Sequence, residues 1–116
     1  YHLALRLRPS WGWHFWYAIE RQPRGHVLCG ALSFIGLARL RGFVSVGYSL
    51  LPEFQGRGLG TEMVTTLTGW VLQQAHIRAV LAEVRRTNKA SLRVVAKVGF
   101  RRIGKGPRRN SFLFCL

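Results

Sequence analysis

Negative charge is nearly missing from this chain: it has no aspartate, and its only acids are Glu20, Glu53, Glu62 and Glu83. Against these four stand 18 Lys and Arg residues, for a formal net charge of +14. That imbalance points to anionic partners, whether nucleic acid, acidic protein, a membrane surface or a phosphorylated cofactor. The bland alternative is a solvated basic surface balanced by acids on a neighbouring segment. Cysteine is scarce too, with Cys29 and Cys115 each set in an apolar, strand-like run. Packed thiols rather than a disulfide are expected, and with them a cytoplasmic location. The four histidines (His2, His14, His26, His76) show no ligand spacing among themselves or with cysteine, so no metal site is expected. No apolar run approaches the ~20 residues of a membrane-spanning helix, and no signal-peptide pattern opens the chain. Methionine occurs once, at Met63, so Tyr1 is not expected to be the genetic start, and the chain reads as part of a longer protein.

What is present is a pattern of short strands followed by helices. Leu3, Leu5 and Leu7 alternate with polar or small residues, which is strand period, and Pro9-Ser10 stops the run. Residues 14–19 read as a second strand, a turn at Pro23-Arg24-Gly25 leads to a third at 27–34, and 43–50 make a fourth. Short connections make an antiparallel meander the default. Val64, Leu67, Val71 and Ala75 then recur at helical spacing, predicting a helix over 60–76. Residues 79–84 return to strand. Asn88 caps a short helix with Leu92, Val95 and Ala96 on its apolar face, and Gly99 ends it. Two last strands, 100–103 and 111–116, flank a basic loop. With 116 residues, 48% apolar and no linker or repeat, the expectation is a single α+β domain over residues 1–116.

Between the fourth strand and the first helix stands QGRGLGTE, residues 55–62, with glycine at 56, 58 and 60. Glycine at alternate positions weakens both strand and helix, so another need must explain it. A helix N-terminus presents unpaired N–H groups and the positive end of the dipole, and a bare backbone lets a phosphate reach them. A P-loop would end in Gly-Lys-Ser/Thr, and a dinucleotide fingerprint would read GxGxxG, so neither fits.

The run Leu51-Pro52-Glu53-Phe54-Gln55-Gly56-Arg57-Gly58-Leu59-Gly60-Thr61-Glu62 resembles the acetyl-CoA signature of the GNAT superfamily of N-acetyltransferases, (Gln/Arg)-x-x-Gly-x-(Gly/Ala). Asn88-Lys89-Ala90-Ser91 and the following residues to Phe100 are similar to the family's N-x-x-S…K-x-G-F segment. Val46-Gly47-Tyr48 resembles the G-Y strand of the ribosomal-protein N-terminal acetyltransferase (RimJ/RimL-type) branch. The resemblance implies a mixed, mostly antiparallel sheet with a splayed strand pair, flanking helices and a V-shaped slot. The family's first strand and helices are expected to be absent from this chain. Ser49 and Leu50 would offer backbone bonds to the pantetheine arm of acetyl-CoA, and Gln55, Gly56, Arg57, Gly58, Leu59, Gly60 and Thr61 would hold its pyrophosphate. Asn88 would touch the cofactor near its thiol end, besides capping its helix.

Acetyl transfer to an amine needs a neutral nucleophile, a stabilised oxyanion and a proton for the leaving group. Many relatives carry a glutamate just before the G-Y pair, where this chain has Ser45, and many place a tyrosine after G-F, where residues 101–110 contain none. Ser91, in N-x-x-S, is therefore the candidate acid. Glu83 is the candidate carboxylate, unless it serves only as a surface partner for Arg85 or Arg101. Trp11, Trp13, Trp16 and Tyr17 are candidates for an acceptor site or for plain core packing. The acceptor is expected to be a primary amine, on a small molecule or on an acidic protein N-terminus, with no membrane involvement. Two competing readings are a CoA-binding relative without activity and a nucleic-acid module built on Arg85-Arg86, Lys89, Arg93, Arg101-Arg102, Lys105 and Arg108-Arg109. Against the last, no base-stacking aromatics are interleaved with those arginines.

Overall fold

The computed structural model describes residues 3–7, 16–36 and 42–116. The expectations for Trp11 and Trp13 lie outside these residues. The chain order is β1 (Leu3–Leu7), β2 (Trp16–Gln22), β3 (Gly25–Gly36), β4 (Phe43–Leu50), α1 (Leu59–Leu72), β5 (Ala79–Arg85), α2 (Lys89–Val98), β6 (Arg101–Lys105) and β7 (Ser111–Cys115). A 3-10 turn at Pro52–Phe54 joins β4 to the glycine loop. Among the described residues the seven strands form one sheet in the order β1-β2-β3-β4-β5-β7-β6. β1 to β4 form the expected antiparallel meander. The one parallel pair is β4 with β5, and it is short: Phe43, Val44 and Ser45 face Ala79, Val80 and Leu81. Beyond Ser45 and Leu81 the two strands run on without pairing, to Leu50 and Arg85. This is the splayed strand pair of the expected fold.

Both helices cover the same face of the sheet. Strand alternation turns Val44 and Val46 of β4, and Val80, Ala82 and Val84 of β5, toward that side. They meet Leu59, Met63, Val64, Leu67 and Val71 of α1 and Val95 of α2 in one buried cluster. Each large aliphatic side chain buried there contributes about 1.5–3 kcal/mol. Trp16 joins this core and meets Trp70 edge-on, with centroids 5.1 Å apart at 67°. Core packing is thus its role, whereas Tyr17 points the other way and is exposed. Cys29 is buried and unpaired, its thiol donating to the Ala18 carbonyl at 3.2 Å. Burial, with the charge of Glu20, pushes its pKa up. Cys115 is also unpaired.

Helix α1 ends four residues before the periodicity suggested. Gln73 and Gln74 donate to the carbonyls of Trp70 and Val71, tightening the last turn, and His76 takes a left-handed φ of 75°. Ala75, counted as an apolar helix position, is exposed in the turn that follows. No described helix is long and apolar enough to cross a membrane.

Candidate active site

Beside the end of β4 that diverges from β5 lies a cleft of about 560 Å³. Tyr48, Ser49 and Leu50 of β4 form one wall, and Asn88, Ala90, Ser91, Arg93, Val94 and Lys97 of or next to α2 form the other. Gln55, Gly56, Gly58, Gly60 and Thr61 line it between the two. Eight of the ten residues expected to hold the cofactor therefore meet in one place, and so does Ser91.

The loop geometry explains the glycines. Gly56 and Gly58 have φ of 75° and 79°, a conformation that L side chains rarely adopt, and Gly58 is the N-cap of α1. A cap without a side chain leaves the N–H groups of Leu59, Gly60 and Thr61 without an intrahelical acceptor, at the positive end of the helix. Gly60 serves close approach instead: a Cβ there would stand 3.3 Å from Leu50 Cδ1 and 3.4 Å from Val94 Cγ2. Arg93 and Lys97, one turn apart on α2, add two cations to the same cleft. Among the described residues no carboxylate lines it. The cleft is built for an anion.

A hydroxyl pair bridges its walls. Tyr48 Oη lies 2.5 Å from Ser91 Oγ, joining β4 to α2. Burial raises the Tyr48 pKa, partly offset by the hydrogen bond with Ser91, so the phenol keeps its proton at neutral pH. The Ser91 backbone N–H donates to Asn88 Oδ1 at 3.1 Å, so Asn88 caps α2 and fixes the turn that carries Ser91.

Three expected residues behave differently. Arg57 turns out of the cleft toward β2, where its guanidinium pairs with Glu20 at 3.1 Å and lies over the Phe54 ring. Leu59 is buried in the core, so it can offer only its backbone N–H. Glu83 does not line the cleft: alternation with the buried Ala82 and Val84 turns it away from the helix-covered face. Its Oε2 accepts from Ser111 Oγ and from the Arg108 N–H, both at 2.7 Å. Oε1 lies 3.5 Å from Arg108 Nε. The Leu50 carbonyl, expected to face the cofactor, accepts from Gln55 Nε2 at 3.1 Å. Tyr48, Ala90, Arg93, Val94 and Lys97 were not singled out as site residues. Arg93, Val94 and Lys97 follow Ala90 at i+3, i+4 and i+7 on one face of α2, and strand alternation from Leu50 gives Tyr48.

The surroundings of Glu83 predict a structural role. Burial alone would raise its pKa, but the hydrogen bonds from Ser111 and the Arg108 N–H, helped by the Arg108 and Arg85 charges, hold it below the ordinary 4.5. A carboxylate with a depressed folded pKa stabilises fully above its unfolded value and loses that contribution as pH falls through the folded one. Wild-type melting temperature should therefore decline with acidity below about pH 4.5, and Glu83→Gln should flatten that decline. At pH 7 the variant should lose roughly 1–2 kcal/mol and keep its turnover. A large fall in kcat with stability intact would return Glu83 to the chemistry.

A family profile described as "Acetyltransferase (GNAT) domain" matches residues 4–101. The chain is 26% identical over 88 residues to the uncharacterized N-acetyltransferase YoaA of Bacillus subtilis, a match covering 76% of this chain and 49% of that protein. The chain thus spans about half the length of this curated relative. Among solved structures, it superposes on the ribosomal-protein-S5-alanine acetyltransferase of Vibrio fischeri with a TM-score of 0.77 at 22% identity, covering 88% of this chain and 60% of that one. It superposes on an aminoglycoside acetyltransferase in complex with coenzyme A with a TM-score of 0.72 at 17% identity, covering 88% and 64%. These likenesses describe the fold, and the profile spans most of the sequence: the chain belongs to the acetyltransferase (GNAT) domain family.

Proposed function

We propose that this chain is the cofactor-binding part of an N-acetyltransferase that uses acetyl-CoA to acetylate a primary amine, the α-amine of an acidic protein N-terminus. The observation that carries the reading is the anion-receptive cleft bridged by the Tyr48–Ser91 hydroxyl pair. Its residues fit the cofactor: bare N–H donors at Leu59, Gly60 and Thr61 with Arg93 and Lys97 suit phosphates. The gap between unpaired stretches of β4 and β5 suits a slender arm. When bound, acetyl-CoA supplies an acetyl group already activated as a thioester.

The chain's own residues then have separable tasks. The α1 N-terminus and the two α2 cations bind and orient. Asn88 sets the turn on which Ser91 stands. Ser91 Oγ holds a proton beside a phenol able to replace it. Among the described residues lining the cleft there is no carboxylate or histidine to strip a charged amine. A lysine with pKa ~10.4 would arrive almost wholly protonated, whereas an α-amine at ~7.7–8.0 is partly neutral. An N-terminus is therefore the favoured acceptor, as in the RimJ/RimL-type branch suggested by the G-Y and N-x-x-S segments. Tyr48 and Ser49 also line a smaller hollow with Ala31, Ser33 and Gly47. The net charge of +14 favours acidic residues behind that amine.

Acetyl-CoA at a hundred times its Kd should stabilise the fold by about 2.7 kcal/mol. With the cofactor present, kcat/KM over a peptide panel should rise with Asp/Glu content and fall with added salt. Absence of any thermal shift would remove the cofactor, and a preference for basic peptides at low salt would remove the acidic acceptor.

A further inference from the structure

A second concave site lies on the β6–β7 hairpin, a cavity of about 440 Å³ lined by Arg86, Arg102, Lys105, Arg108, Arg109 and Phe112. One acid approaches it, Glu83, and that carboxylate is taken up by Arg108 and Ser111. The other four cations have no carboxylate partner among the described residues. Two of them share one aromatic ring: the guanidinium carbons of Arg86 and Arg102 stand 4.8 Å and 4.4 Å from the Phe112 centroid. Both are thus nearer to each other than the ~10 Å Debye length at 0.1 M salt, so their repulsion is only partly screened. Cation–π attraction holds each guanidinium against the ring, and an anion drawn to the pair would relieve the repulsion.

Charge on an edge strand also blocks edge-to-edge pairing, and β6 is the edge of this sheet. That accounts for Lys105 and one face of β6. It does not account for Arg86, which follows β5, or Arg109, in the loop, both lining the same cavity.

We propose that this cavity binds single-stranded RNA, with phosphates held by Arg86, Arg102, Lys105 and Arg109 and a base laid on the guanidinium–Phe112 stack. A carboxylate-rich peptide would use the charges but has no flat face to lay on an arginine or on the Phe112 ring. A nucleobase has one, and each nucleotide brings its own phosphate. The fold supplies what the linear sequence lacked, an aromatic ring placed among the arginines.

The test is fluorescence anisotropy of a labelled ten-nucleotide oligouridylate and a ten-residue polyglutamate with the chain, between 50 and 200 mM salt. RNA should bind more tightly than polyglutamate. The logarithm of its association constant should fall with the logarithm of salt at a slope near −3, from about −0.7 for each of four phosphates. Arg86→Gln with Arg102→Gln should weaken binding at least tenfold and shallow the slope. Arg86→Lys with Arg102→Lys should weaken binding while keeping the slope, because charge survives and stacking does not. Excess coenzyme A should leave the RNA bound. Equal or tighter binding of polyglutamate would identify an acidic protein instead, and displacement by coenzyme A would relocate the RNA to the cleft. Unchanged affinity in the glutamine pair, or in Lys105→Gln with Arg109→Gln should the first pair not fold, would overturn the site.

Discussion

Gly60→Val should weaken coenzyme A binding by well over tenfold, more than ~1.4 kcal/mol, in a protein that still folds. Gly60 is buried at the start of α1, between Leu50 of β4 and Val94 of α2, which line opposite walls of the cleft. A new side chain there would stand in the space that the proposal assigns to the cofactor. Gly60 has no positive φ, so the backbone is not strained, and any stability cost comes from the close contacts with Leu50 and Val94. Gly58→Val differs in mechanism: nothing lies within 4 Å of a Cβ there, but φ is 79°. A β-branched residue in that conformation costs on the order of 1–3 kcal/mol, so the loss should appear in stability as well as affinity. Titration calorimetry with denaturant unfolding on both variants separates the two effects. Wild-type affinity in a folded Gly60→Val protein would remove the phosphate cradle.

Ser91→Ala should lower kcat by about 100-fold while the Kd for coenzyme A hardly moves. The expectation rests on the 2.5 Å hydroxyl pair and on the raised pKa that keeps the Tyr48 proton available. The capping bond to Asn88 uses the Ser91 backbone N–H, so alanine retains it and stability should change little. Tyr48→Phe should act in the same direction, and the double variant should lose less than the product of the single losses, because the two hydroxyls work as a unit. A wild-type kcat in both single variants would retire the pair. A raised Kd with unchanged kcat would make Ser91 a binding residue only.

The difference between what could be read from residues and what needed coordinates follows interaction range. Asn88, Gly99 and the apolar spacing of α2 are signals within one helix, and the helix forms where they place it. The glycine loop is likewise local: cap, turn and helix start lie within a few residues, so eight of the residues expected to hold the cofactor line one cleft. Arg57 stands among the loop residues expected to hold the pyrophosphate. Its side chain follows Glu20 instead, 37 positions earlier, and only the β2–β3–β4 packing brings the two together. Tyr48 was seen as a motif letter, but its chemistry depends on Ser91, 43 positions later. Glu83 is the candidate carboxylate by residue type, whereas the period of two sends it to Ser111 and Arg108. Long-range side-chain pairing leaves no periodic trace, and that is where residue patterns stop informing.

The three-residue ladder between β4 and β5 has a mechanical consequence. Strands β1 to β4 and strands β5 to β7 are two plates joined by Phe43–Ala79, Val44–Val80 and Ser45–Leu81, with α1 and α2 lashed across one side. Backbone groups beyond that seam face a gap where an ordinary sheet would have a further strand's worth of pairing. A molecule wedged there completes a seam that folding leaves open. Its binding free energy is then also cohesion between the plates, and the stiffness of the sheet becomes a property of the filled molecule.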